Sequence, residues 1–331
     1  MIVDRPARVV PAVRTSTGER RSAAASPRPV FGTVLALLPM AALLELLLVR
    51  TFYRVGIFIP KRGPFRTIYA ALTEIGSFAF NLSSVLAFLA IGSFVVRAFR
   101  SGRNATGIVL GAFGLAALLA AMPGAGGAGP AVRPVFALSA VFVAWPFVRA
   151  PGPVGHRAAV AAVVLAVLSS AYAGIGGDAT RLLDGGLSGT VSAQLAGEAL
   201  AVLAAFLFFC AAASERGVRT SALLLGALPA LALLIAWRAN GAILGILVLW
   251  TAGFRLYLPI WLYAIAMWAF CASAVAWFGS RSSRSGGMVL LLVAGFLLDS
   301  TYVQVLMLLA LLLLTDGRAV GGIELAERRA G

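Results

Sequence analysis

The stretch GGMVLLLVAGFLLDSTYVQVLMLLALLLLT, residues 286–315, contains a single formally charged side chain, Asp299, near its middle. As one helix it would reach about 45 Å, more than the roughly 30 Å hydrocarbon core of a bilayer. It reads as a membrane span with a carboxylate placed where a charge is expensive. Comparable apolar runs recur at 31–49, 67–96, 105–122, 134–148, 158–174, 191–213, 220–236, 240–254 and 256–278. The predicted fold is therefore all-α, a polytopic transmembrane helix bundle of about ten spans. Nine is the alternative, because 240–254 reaches only about 22 Å and would be tilted, re-entrant or continuous with its neighbour. Barrel strands alternate apolar and polar residues. Runs such as AILGILVLW (242–250) do not.

Composition agrees. Charged residues make up 12% of the 331-residue chain, about half the share in soluble domains, and hydrophobic residues 61%. The net charge of +15 is spread as short arginine clusters between apolar runs. That pattern is positive-inside flanking rather than a nucleic-acid surface, so a lipid bilayer is the expected partner and nucleic acid is not. Residues 1–30, rich in Arg, Ser and Pro, read as a disordered basic cytoplasmic tail. The transmembrane domain would cover 31–315, with a short polar tail at 316–331.

Arginine placement predicts orientation. The tail holds six arginines, the 97–104 loop Arg97, Arg100 and Arg103, the 149–157 loop Arg149 and Arg157, and the 214–219 loop Arg216 and Arg219. The segments 123–132 and 176–186 are uncharged and net negative respectively, which fits the opposite side. The reading is a multi-pass protein of the plasma membrane with a cytoplasmic N-terminus. Two loops conflict with it: 50–66 carries five basic residues, and 279–286 carries Arg281 and Arg284. An interfacial amphipathic segment would explain the first. The second is repaired if 240–254 does not cross.

The candidate functional residues are the polar groups inside spans. Glu45, Glu74, Glu198 and Asp299 are the acids there. A charge at mid-depth costs at least about 2.5–3.5 kcal/mol, so such groups are expected to face the bundle interior or water. Glu74, Ser77, Asn81 and Ser84 follow helical spacing and form one polar stripe. Tyr302 shares a face with Asp299, Ser300 pairs with Gln304, and Gln194 with Glu198. Asp299 is expected inside, near the Glu74–Ser77–Asn81 stripe. Its structural alternative is a register-fixing pair with Arg255 or Arg238.

Catalytic and cofactor chemistry has little to stand on. His156 is the only histidine and is placed in a loop, and Cys210 and Cys271 sit apart in apolar runs. The chain offers no haem, copper or di-iron ligand set, so no metal and no cofactor is expected. Walker, nucleophile-elbow and zincin patterns are missing from the sequence. Asp178 and Asp184 in GGDATRLLDGG fit a glycine-rich turn. No motif carries a family. The expected function is secondary transport of a small molecule or ion, with Asp299, Glu74, Asn81, Ser77, Tyr302, Glu198 and Glu45 lining a substrate or proton pathway. One alternative is a cofactor-free membrane subunit of a larger, quinone-linked redox complex, with partner subunits. The other is a membrane-embedded lipid-modifying enzyme.

Overall fold

The computed structural model describes residues 37–44, 46, 63, 65–121, 129–149, 154–182, 187–239, 249–250, 257–278, 283–296 and 301–315. All regular structure among them is helical. That follows from lipid as solvent: a helix satisfies its own backbone where water cannot. After a helical stretch at 37–44 come α1 (Phe65–Arg100), α2 (Asn104–Ala120), α3 (Gly129–Arg149), α4 (Val154–Leu182) and α5 (Leu187–Arg216). Then follow α6 (Thr220–Ala239), α7 (Ile260–Phe278), α8 (Ser283–Phe296) and α9 (Thr301–Thr315). Segments within α1, α4, α5 and α7 are long and apolar enough to cross a membrane, and the other five helices are apolar but shorter. The protein is a multi-pass helical membrane bundle.

Neighbouring helices run antiparallel, and small residues set their spacing. Phe99, Val95 and Ile91 of α1 face Gly107, Gly111 and Gly114 of α2 in turn. Ser169 of α4 bonds Gly197 of α5, and Phe147 of α3 meets His156 of α4. α7 instead runs parallel to α5: Glu198 meets Tyr257 and Leu258 just before α7, and Phe208 meets Phe270 further along both. One end of the bundle therefore collects Arg97, Arg100, Arg103, Arg149, Arg157, Arg216, Arg219 and Arg284. Arg66, Arg133 and Arg238 stand at the other end.

Four readings of the sequence are corrected. The run 286–315 is not one helix but two, α8 and α9, folded back on each other. Gly287 lies against the Ala310 carbonyl and Leu313 and Leu314, and Gly286 against Leu313. At 14 and 15 residues each helix reaches only about 21–23 Å, too short to cross alone. α9 is the central element: Val303 to Thr315 are all buried, packed by α1, α2, α3, α4 and α8.

The 240–254 segment is mostly outside the described residues, and where it is described it is not a helix. Leu249 and Trp250 form a buried bend, with Trp250 at φ +54°, a conformation bulky residues rarely adopt. Trp250 packs edge-on to Phe270, ten residues into α7, whereas Tyr257 sits at the start of α7. These two residues stand level with the middle of α7. Because α7 runs toward the arginine-rich end, α8 begins there, with Arg284, which removes one loop conflict.

The turn expected at 176–186 is displaced, because α4 continues through Leu182. His156 is not in a loop: it is buried in the first turn of α4 against Phe147.

Candidate functional site

The connection into α7 places a carboxylate inside the bundle. Pro259 begins the helix, and its carbonyl accepts from Leu262 N–H at 2.9 Å and from Tyr263 N–H at 3.5 Å. Proline suits a helix start, but it holds the preceding residues out of the helix. Their N–H groups then have no helical acceptor. Glu198 of α5 takes both: Oε2 accepts from Tyr257 N–H at 3.0 Å and Leu258 N–H at 2.9 Å, and Oε1 from Tyr257 N–H at 3.3 Å. Glu198 is fully buried, and Gln194, one turn earlier, and Tyr263 complete its polar surroundings. Ser169 Oγ donates to the Gly197 carbonyl at 2.6 Å, tying α4 to this turn of α5. The buried Ser170 hydroxyl beside it has no partner.

A second polar region surrounds the α8–α9 break. Helix ends inside a bundle leave orphan carbonyls and N–H groups. Trp250 serves the α8 end: its backbone N–H donates to the Gly295 carbonyl at 3.4 Å and its indole Nε1–H to the Leu291 carbonyl at 3.3 Å. A Cβ on Gly295 would lie 3.3 Å from that indole nitrogen, so glycine admits the ring. At the α9 start, the Tyr302 hydroxyl donates to Ser83 Oγ of α1 at 2.6 Å, and its ring meets Phe80 at 5.2 Å. Gln304, 2% exposed, keeps its Oε1 without a hydrogen-bond donor. The break thus carries an acceptor and hydroxyls at the heart of the molecule.

The residues singled out by sequence fall into three groups. Glu198 is buried and Tyr302 partly buried, and both make polar contacts. Glu74, Ser77 and Asn81 are all exposed, contrary to the expectation that they face the interior. The packed face of α1 instead carries Gly76, Ala79, Ser83, Leu86, Ala87 and Ala90. Tyr302, the face-mate of Asp299, accordingly reaches Ser83 and not the stripe. Asp299 and Glu45 lie outside the described residues, as do Ser300, the Asp178 and Asp184 side chains, and Arg255.

Trp250 was missed as a polar anchor, since nothing in its sequence context marks an indole as a helix-end donor. Cys271 is buried and Cys210 exposed, and neither is in a disulfide. No group of three or more metal-ligating side chains occurs among the described residues. The chain matches no family model, no curated protein and no solved structure.

Proposed function

We propose that the protein is a secondary transporter or permease of the plasma membrane, its N-terminus and arginine-rich end in the cytoplasm. One observation carries the reading: the central element is a pair of half-length helices, α8 and α9, broken inside the bundle. Interrupted backbone at membrane depth is tolerated where it is enclosed by protein or lines a cavity, and discontinuous helices are where carriers bind ions and substrates. In this reading Asp299, in the four-residue connection, is the exchanging group, with Tyr302 and Gln304 beside it. Glu198 is a second acid that holds the α7 entrance.

The test uses the full chain in liposomes with an entrapped pH-sensitive dye, a potassium-diffusion potential and a panel of small solutes. Wild type is expected to show solute-dependent proton movement. Asp299→Asn should stay folded by circular dichroism and lose that movement or its pH dependence. An Asn variant with full pH-dependent flux would overturn the role of Asp299. Solute flux in wild type without any proton movement would overturn proton coupling.

A further inference from the structure

Three residues join α1 to α2, and the bonds of this turn bring two arginines together. Gly102, at φ +74°, takes the left-handed conformation that ends a helix, and nothing lies within 4 Å of where its Cβ would be. Backbone conformation, not space, thus calls for glycine there. Gly102 N–H donates to the Phe99 carbonyl at 3.1 Å and Arg103 N–H to the Ala98 carbonyl at 2.9 Å. The chain thereby folds Arg103 back onto the last turn of α1, which carries Arg100. Both side chains are exposed. Beneath them the exposed surface is apolar: Val96 and Phe99 on α1, and Ile108 and Leu115 on α2. Ile108 and Leu115 lie about 8 and 18 Å below Arg103 along the helix.

The sign of this end of the bundle does not depend on where the rest of the chain lies. Pro39 sits beside Gly286 at the start of α8, so residues 1–36 enter here, and α9 ends here. Of the stretches that adjoin it, 1–30 holds six arginines against Asp4 and Glu19, and 279–285 holds Arg281 and Arg284 and no acid. Residues 316–331 hold three arginines against three acids. Each stretch is neutral or positive. Among the described residues the one acid at this end is Glu215 of α5, beside Gly155 of α4 and so close to Arg157 and Arg216.

We infer that the α1–α2 turn binds the phosphodiester of an anionic phospholipid such as phosphatidylglycerol. Arg100 and Arg103 share the phosphate, and an acyl chain runs inward along Phe99, Ile108 and Leu115. The order of groups is that of the lipid, with cations at the surface and apolar side chains beneath. Guanidinium forks suit phosphate oxygens, and basic clusters beside a span attract anionic headgroups. A zwitterionic headgroup brings its own ammonium against two arginines, with no acid on this turn to receive it. A free phosphate ion would gain nothing from the apolar surface below. The site is independent of the transport reading, since it needs only the bilayer around α1 and α2.

The experiment is lipid binding to the purified full chain by native mass spectrometry, comparing phosphatidylglycerol, phosphatidylethanolamine and phosphatidylcholine of identical acyl chains. Phosphatidylglycerol should bind tighter than the other two, on the order of tenfold for two arginines at a membrane surface. The double variant Arg100→Gln with Arg103→Gln should lose that preference. Arg216→Gln with Arg219→Gln, at the same end but next to Glu215, should keep it. Millimolar inorganic phosphate should leave the bound lipid in place. All four side chains are exposed, so folding is expected to survive. If the first double variant fails to fold, the wild-type lipid comparison and the phosphate competition decide. Equal binding of phosphatidylglycerol and phosphatidylcholine, or an intact preference in the first double variant, overturns the assignment. So does an equal loss in both double variants, or displacement of the lipid by phosphate.

Discussion

Glu198 and Glu74 are both glutamates on long apolar helices, and their surroundings give them different roles. Glu198 accepts the two backbone N–H groups that precede Pro259. Glu198→Ala leaves both donors buried and unpaired, and should cost about 2–4 kcal/mol of stability. Glu198→Gln keeps one carbonyl oxygen and should cost less than half of that; urea or thermal unfolding in detergent measures both. Glu74→Gln in the same lipid-free detergent should leave stability unchanged. Equal losses at the two positions would contradict the burial contrast. Sequence marked both residues but could not rank them. The partners of Glu198 are backbone donors beside a proline, and side-chain identity does not advertise them. The stripe on α1 was legible as a stripe, but not its direction, because lipid-facing and packed faces of a membrane helix are equally apolar.

At the level of elements, glycine decides how closely helices approach. A Cβ on Gly226 of α6 would sit 2.7 Å from the Ala272 backbone nitrogen of α7, and backbone cannot yield as a flexible side chain does. Gly226→Ala should therefore destabilise by about 1–3 kcal/mol. Gly92→Ala, where nothing lies within 4 Å, should be neutral or slightly stabilising. Similar losses at both sites in thermal unfolding would contradict the close α6–α7 approach. Trp250→Phe keeps an aromatic ring on Phe270 and deletes the indole donor to Leu291. It should cost about 1 kcal/mol, and a neutral result would remove Trp250 as an anchor of the α8 end. The boundaries of α1 to α7 were legible from apolar run lengths to within three residues, except at the starts of α3, α4, α5 and α7 and the ends of α1 and α4. The α8–α9 break was not: thirty apolar residues without an internal proline look like one span. What folds them back is packing around Gly286 and Gly287, a tertiary cause.

For the whole molecule, the direction of the helices gathers arginines at one end, and the positive-inside rule turns that into an orientation. With Cys210→Ser and Cys271→Ala as background, cysteines placed at Ser101 and Ser283 should resist an impermeant maleimide in intact cells, while one at Gly126 reacts. Reaction at Ser101 from outside would reverse the assignment. The central claim is that 283–315 enters the bundle and returns, where a continuous span would carry it across. Spin labels at Ser283→Cys and Asp316→Cys, read by double electron–electron resonance in nanodiscs, test it most directly. A folded-back pair has helix axes about 8–10 Å apart, so with label linkers the distance should fall near 15–25 Å. A single straight helix over the same residues would separate the labels by about 50 Å, and that result would contradict the account.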